Sequence, residues 1–160
     1  MEPSIHASAV LVGAKAVLVR GAPGSGKTSL ALRLVALAEA DPSFFARLVA
    51  DDRVHLAASG GRLVVSAPAA IAGLAERRGV GVQPVLFESS AVVGLVVDLG
   101  AEDAARMPEE TALSTVIAGV SVARLPVAAG VDPLPVVASA ISWCRIPAAV
   151  LAAPHPGAYR

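Results

Sequence analysis

The sequence predicts an α/β fold in which a mixed central β-sheet is flanked by helices, within a single P-loop domain. Three observations predict this fold. Short runs rich in valine and leucine are separated by turns that contain glycine or proline. The segment GAPGSGKT, at residues 21–28, stands between a strand pattern and a helical pattern. The length of 160 residues suits one domain with a substantial core.

The first elements are expected on either side of this glycine-rich segment. Residues 8–12 and 16–20 are rich in β-branched side chains and predict two strands joined by a tight turn at Gly13. A helix is predicted from Lys27, because apolar residues then recur at spacings of three and four. This helix should end at Asp41, because the proline that follows restricts the backbone of that residue.

The middle of the chain predicts mainly strands. Residues 47–50 indicate a short strand that ends in two aspartates, and residues 54–57 and 62–66 indicate a hairpin around a Ser-Gly-Gly turn. We interpret residues 71–75 as a short helix. Residues 91–99 are nearly all apolar, which is typical of a strand in the middle of a sheet.

The C-terminal part predicts one more strand, at residues 120–126, and one more helix. Asp132 followed by a proline is typical of a helix N-terminus and precedes a helix near residues 136–144. The sequence contains no internal repeat and no domain linker, so we expect one domain over residues 1–152. Residues 153–160 contain two prolines and a glycine and are expected to form a flexible tail.

The composition limits the classes of function. Thirteen basic residues balance thirteen acidic ones, so the chain lacks the broad positive field of nucleic-acid-binding proteins. No uncharged run reaches the ~18 apolar residues of a membrane span, and the N-terminus lacks the basic region of a secretion signal. Cys144 is the only cysteine, which excludes an internal disulfide and a cysteine-rich metal site. The expected location is the cytoplasm, with neither nucleic acid nor membrane as a partner.

The glycine-rich segment fits the pattern G-x-x-x-x-G-K-[ST] at every fixed position. Glycines permit backbone angles that side chains block, so N–H groups at the start of the helix can converge on a phosphate. Lys27 would contact the β- and γ-phosphates of ATP, and the Thr28 hydroxyl would ligate Mg²⁺. A turn that merely caps a helix is the alternative, but the strand before it and the helix after it favour nucleotide binding. The expected ATP-binding residues are Gly21, Ala22, Pro23, Gly24, Ser25, Gly26, Lys27 and Thr28.

Asp51 and Asp52 follow directly on a predicted strand. Ligands of open α/β sheets lie beyond the carboxyl ends of the strands, so both aspartates should lie beside the loop if their strand neighbours the loop's strand. One carboxylate would organise Mg²⁺ and the other would accept a proton from an attacking hydroxyl. The alternative is that the pair simply begins a turn.

Four features together resemble the catalytic domain of HPr kinase/phosphorylase, in its shortened proteobacterial form. These features are His6 ahead of the loop, the loop GAPGSGKT itself, VADDRV at residues 49–54 and ERRGVG at residues 76–81. The chain departs from the family pattern at Ala7, where the family often has glycine, and at Arg77, which replaces an apolar residue.

The resemblance implies an ATP- and Mg²⁺-dependent protein kinase that phosphorylates a serine of the phosphocarrier protein HPr, with phosphorolysis as the reverse reaction. It implies that Asp51 is the catalytic base and that Asp52 assists at the metal or the phosphate. His6 would lie near these groups and modulate them.

The resemblance also implies roles for residues later in the chain. Glu76 would join Thr28 and Asp52 at the metal, and Arg78 would bind the nucleotide within the same signature segment. Arg106 would match an arginine on a mobile loop that contacts the phosphates.

Two other functions remain open on the sequence. One is a small-molecule P-loop kinase of the nucleoside-kinase type, although such enzymes usually have arginine-rich lids. The other is a regulatory ATP-binding module without catalysis, which would switch a partner such as a sensor kinase. The sequence also leaves open whether the chain forms a homo-oligomer.

Overall fold

The computed structural model of the chain describes residues 4–144, with side-chain surroundings as far as residue 141. The predicted tail over residues 153–160 and the predicted domain end at residue 152 lie outside the described residues. The described part contains eleven strands and two α-helices. The helices are α1 (Lys27–Ala40) and α2 (Pro133–Cys144). The strands are β1 (Ile5–His6), β2 (Ser8–Val12), β3 (Lys15–Arg20), β4 (Ala46–Ala50), β5 (Arg53–Ser59), β6 (Arg62–Ser66), β7 (Leu74–Arg77), β8 (Gly81–Pro84), β9 (Ser90–Leu99), β10 (Ser114–Ile117) and β11 (Val120–Val127).

The central sheet is mixed, as the sequence predicts. Its strands lie in the order β10–β11–β9–β3–β2–β4, with β3, β9 and β11 parallel to one another. Because β2 is antiparallel to both of its neighbours, β4 runs in the same direction as β3. The carboxyl ends of β3, β4, β9 and β11 therefore meet at one edge of the sheet.

The two faces of the sheet are covered differently. Both described helices pack on one face, where Leu30 and Leu34 of α1 and Val137 of α2 are fully or almost fully buried against β-strand valines. The opposite face is covered by the β5–β6 hairpin, whose buried residues include Leu63 and Val65. Within residues 4–144, no helix is long and apolar enough to cross a membrane.

Several of the predicted elements are confirmed with small changes in their ends. Helix α1 ends at Ala40, and the N–H of Asp41 still bonds to the carbonyl of Leu37 at 3.0 Å. Asp132 caps α2, since its Oδ1 accepts the N–H of Leu134 at 3.2 Å. The predicted hairpin at residues 54–66 is present as β5 and β6.

The predicted short helix over residues 71–75 is wrong. A single 3₁₀ turn covers Ala69–Ile71, and the chain then enters strand β7. Gly73 makes this change of direction possible, because it has φ 74° and lies against the Phe87 ring, where a Cβ would come within 2.7 Å. Its carbonyl also accepts the N–H of Val85 at 2.8 Å, which holds β7 and β8 together as a hairpin.

A network of ion pairs joins the carboxyl ends of the three parallel strands. Asp98 of β9 accepts two hydrogen bonds from Arg20 of β3, at 2.7 and 2.8 Å, and another from Arg124 of β11. Arg124 continues the network to Asp103 at 2.7 Å. Burial of Asp98 opposes its ionisation, but the hydrogen bonds from the two arginines outweigh this effect and hold the pKa of Asp98 below its ordinary value. Arg20 directly precedes the glycine-rich loop, so this network fixes the strand end from which the loop leaves.

We expect Asp98→Asn to lower the free energy of unfolding at pH 7 by about 3 kcal/mol, because it leaves two arginines without their shared carboxylate. The pKa of Asp98 is lower in the folded state, so its stabilisation is complete above the unfolded pKa and is lost as the pH falls through the folded value. Urea denaturation should therefore show a wild-type advantage that is constant from about pH 5.5 to pH 8 and shrinks below about pH 4.

Asp103→Asn is the matched control, since Asp103 binds the same Arg124 but its side chain is 51% exposed, against 17% for Asp98. Its effect should be clearly smaller. Equal losses of unfolding free energy for Asp98→Asn and Asp103→Asn would contradict the view that Asp98 is the main stabilising carboxylate of this network.

Candidate functional site

The structure brings most of the predicted site residues together around one cavity of about 740 Å³. The cavity lies at the edge where the parallel strands end. Asp51 lies directly beneath it, and Arg106 is exposed on the loop that follows β9 and does not line it. The lining residues are His6, Pro23, Gly24, Gly26, Lys27, Thr28, Ser29, Leu32, Arg33, Ala36, Asp52, Glu76, Arg77 and Arg78.

The glycine-rich loop presents free backbone donors to this cavity. Gly24 and Gly26 have φ 77° and 97°, conformations that a residue with a side chain rarely adopts. Gly26 is the N-cap of α1, which has no side-chain cap and no acidic residue in its first turn. The first N–H groups of α1 are therefore available to an anion, and the helix dipole favours negative charge at this position.

The Lys27 side chain folds back onto the start of the glycine-rich loop. Its ammonium donates hydrogen bonds to the carbonyls of Gly21 and Ala22, at 3.0 and 3.1 Å. It forms no ion pair with a carboxylate among residues 4–141. A positive charge without an acidic partner, at the N-terminus of a helix, is suited to contact the phosphates of a nucleotide.

Asp51 is the buried centre of the site, with only 4% of its surface exposed. Its Oδ1 accepts hydrogen bonds from the hydroxyls of Ser8, at 2.8 Å, and Thr28, at 2.7 Å. Its Oδ2 accepts the backbone N–H of Glu76 at 3.2 Å. One carboxylate thus connects β2, the first turn of α1 and β7. Ser8 belongs to no motif of the sequence, and its one signal there is a polar residue within an apolar strand.

The strand that carries the acidic pair does not neighbour the strand of the loop. Strand β2 lies between β3 and β4, so the adjacency of these two strands that the sequence expectation required is absent. The groups meet because α1 leaves the end of β3 and packs across β2 and β4. Thr28, in the first turn of α1, is carried by this path over to Asp51.

A β-bulge in β4 turns Asp51 towards α1. Ala9 of β2 pairs with Ala50, but the next residue, Val10, pairs with Leu48, so Val49 is an extra residue in the ladder. As a result Val49 and Ala50 both belong to the core on the hairpin face, whereas Leu48 belongs to the core beneath α1. Strict alternation from Leu48 would send Asp51 to the hairpin face, away from Thr28.

Asp52 points in a different direction from Asp51. It has φ 67°, and the N–H of Arg53 bonds to the carbonyl of Asp51 at 2.8 Å, which forms a tight three-residue turn. A non-glycine residue in this conformation is strained, and such strain is concentrated at functional sites. The turn leaves the Asp52 side chain 70% exposed on the wall of the cavity.

His6 lies beside Asp52, with 3.6 Å between its Nδ1 and the Asp52 Oδ1. Its Nε2 is 2.9 Å from a guanidinium nitrogen of Arg53. An arginine only donates, so Nε2 of His6 accepts this bond and the proton of the neutral ring lies on Nδ1, facing Asp52. The backbone N–H of the next residue, Ala7, also bonds to the Asp52 carbonyl, at 3.2 Å, so β1 and the acidic turn are held as a unit.

The oxygen ligands near the loop fit Mg²⁺ that is shared with phosphates. Within residues 4–141, no three histidine, cysteine or carboxylate side chains form a metal cluster. The Thr28 hydroxyl and the neighbouring carboxylates of Asp51, Asp52 and Glu76 supply only part of a coordination shell. Mg²⁺ typically binds one or two carboxylates together with water and substrate phosphates, so this donor set fits that ion.

The two adjacent aspartates allow a matched test. Asp51→Asn should lower the free energy of unfolding by about 1–3 kcal/mol, because an amide NH₂ replaces an oxygen that faces hydrogen-bond donors. Asp52→Asn should change it by less than about 0.5 kcal/mol, because the side chain is exposed and asparagine tolerates positive φ. Urea denaturation of both variants measures the difference, and a larger loss for Asp52→Asn would contradict the geometry.

No family model and no curated protein sequence matches the chain. In three dimensions it is similar to the solved structure of an Hpr(Ser) kinase/phosphatase from Coxiella burnetii, with a TM-score of 0.70 and 21% sequence identity. The similarity covers 89% of this chain and 95% of that chain. The chain therefore has an HPr kinase-like α/β fold.

Proposed function

We propose that the chain is an ATP-dependent protein kinase of the HPr kinase/phosphorylase type, which transfers the γ-phosphoryl group to a serine of an HPr-like phosphocarrier protein. One observation carries the proposal. Asp52 and His6 line the same cavity as the glycine-rich loop and Lys27, and Thr28, which also lines it, hydrogen-bonds to the buried Asp51 beneath. A phosphate donor site and a candidate proton acceptor are thus adjacent.

The backbone N–H groups of the loop and the Lys27 ammonium would hold the phosphates of ATP. Mg²⁺ would be held by the Thr28 hydroxyl, with Asp51 beside it and Glu76 on the rim. When bound, this ion would neutralise negative charge that develops on the phosphates during transfer. Arg78 lines the same cavity and would add positive charge near the phosphates.

The geometry supports exchanging the roles that the family resemblance implies for the two aspartates. Asp51 is enclosed and its oxygens already accept three hydrogen bonds, so an incoming hydroxyl has no path to them. Asp52 is exposed on the cavity wall. We assign Asp52 as the catalytic base and Asp51 as the carboxylate that orders the metal-binding end of the site.

In the forward reaction, the serine oxygen of the acceptor forms a bond to the γ-phosphorus as the bond from this phosphorus to the β,γ-bridging oxygen breaks. The serine proton passes to the Asp52 carboxylate, and ADP leaves. His6 stabilises the position of Asp52, because its Nδ1–H faces that carboxylate and Arg53 fixes its ring. Catalysis then consists mainly of positioning and charge stabilisation.

Phosphorolysis of the phosphoserine would use the same groups. An oxygen of inorganic phosphate attacks the phosphoserine, the serine oxygen takes back the proton from Asp52, and pyrophosphate leaves.

An HPr-like partner would place the chain in the cytoplasm.

The roles of Lys27 and Asp52 can be separated by binding and transfer assays. Lys27→Ala should weaken ATP binding at least tenfold and abolish transfer, because it removes the charge that contacts the phosphates. Asp52→Asn should abolish transfer and leave ATP affinity within about threefold, because this carboxylate would act on the acceptor. Calorimetry and transfer of labelled phosphate measure the two effects. Full transfer activity of Asp52→Asn would refute its role as the base.

The proposed reaction itself is tested by incubation with labelled ATP, Mg²⁺ and purified HPr, followed by mass spectrometry to locate the modified residue. Phosphate on a single serine of HPr supports the kinase. Nucleotide binding without transfer to HPr supports the regulatory module instead, in which a partner such as a sensor kinase responds to the bound nucleotide. Transfer to a nucleoside or another small molecule in place of HPr would indicate the small-molecule kinase.

A further inference from the structure

We infer that Ser8 is a positioning residue, whose buried hydroxyl fixes the Asp51 carboxylate and thereby directs the Thr28 hydroxyl oxygen into the cavity. This inference rests on the proposed function, because it assigns to Ser8 a part in the binding of Mg²⁺ with the nucleotide. Ser8 does not line the cavity, so its effect must pass through Asp51.

The burial of Ser8 makes its hydroxyl dependent on Asp51. Ser8 has no exposed surface and, with Asp51, is one of two buried polar residues within residues 4–141. A hydroxyl removed from water is unfavourable unless it forms a hydrogen bond, and the Oγ of Ser8 donates to Asp51 Oδ1 at 2.8 Å. The bond joins a neutral donor to a carboxylate, which makes it stronger than a bond between two neutral groups.

The single proton of the Thr28 hydroxyl determines where the lone pairs of its oxygen point. A threonine hydroxyl has one proton, and this proton lies in the 2.7 Å bond to Asp51 Oδ1. Its lone pairs therefore point away from Asp51, and Thr28 lines the cavity. An oxygen that presents its lone pairs to the phosphate end of the cavity is suited to ligate a cation.

Ser8 is well placed to hold Asp51 still. It lies on β2, which is hydrogen-bonded on both sides, to β3 and to β4. Asp51, by contrast, has left β4 and immediately precedes the strained turn at Asp52. A bond from the rigid strand prevents the carboxylate from following movements of this turn, and so keeps the Thr28 hydroxyl in one orientation. Groups that hydrogen-bond directly to a metal ligand typically change metal affinity by about 10- to 100-fold when they are removed, and Ser8 acts one bond further away, so we expect the lower end of this range.

The experiment measures the Mg²⁺ concentration that half-saturates binding of ATP, by titration at fixed nucleotide, and the same quantity for phosphate transfer. Ser8→Ala should raise the required Mg²⁺ concentration about tenfold or more. ATP binding in EDTA should remain within about twofold of wild type, since the loop and Lys27 are untouched, and kcat should recover at saturating Mg²⁺. Ser8→Thr keeps the hydroxyl and should need the same Mg²⁺ concentration as the wild-type protein.

Two further variants separate positioning from a loss of packing. Ser8→Cys keeps the shape but donates weakly, so it should follow Ser8→Ala in Mg²⁺ dependence even if it is more stable. Ser121→Ala, in β11 at the opposite end of the sheet, should change neither quantity.

The possible results can be distinguished. A Ser8→Ala protein that unfolds more easily but needs no more Mg²⁺ than wild type would overturn the inference and leave the proposed function intact. A Ser8→Ala protein with an equal loss of ATP binding with and without Mg²⁺ would also overturn it. If ATP binding by the wild-type protein does not depend on Mg²⁺, the inference fails, whereas the proposed function fails only if no phosphate is transferred to HPr at any Mg²⁺ concentration.

Discussion

The carboxylate of Asp51 is the interaction on which the arrangement of the site depends. It accepts hydrogen bonds from β2, the start of α1 and β7 at once, through Ser8, Thr28 and the N–H of Glu76. This contact exists because of one extra residue in β4. The bulge at Val49 changes the face to which Asp51 points, and without it Asp51 would lie on the hairpin face, away from Thr28.

Two adjacent aspartates acquire different chemistry from their surroundings alone. Burial and three donors make Asp51 a fixed acceptor, while a strained turn with positive φ leaves Asp52 exposed on the cavity wall beside His6. The same residue type can therefore order a metal site at one position and accept a proton at the next. Such a division is common where neighbouring acids must perform separate tasks.

The scaffold beneath the site relies on a second charged cluster. Asp98 binds Arg20 and Arg124 at the ends of three parallel strands, on the side of the sheet away from the helices, and Arg20 leads directly into the glycine-rich loop.

The similarity to the Hpr(Ser) kinase/phosphatase concerns the fold. A fold accommodates many activities, so the proposed reaction depends on the side chains in the cavity.

The sequence alone determined most of the helices and longer strands, because hydrophobic periodicity and turn residues act within a few residues. The spacing from Gly21 to Thr28 likewise predicted a phosphate-binding loop. It also identified Asp51 and Asp52 as functional candidates. Only the tertiary structure decided which aspartate is buried, since that depends on a bulge and on a helix crossing two strands. The strand at residues 74–77 depends on its pairing with β8, and the hydrogen bond from Ser8 joins it to a residue 43 positions away. Neither contact leaves a periodic signal in the sequence.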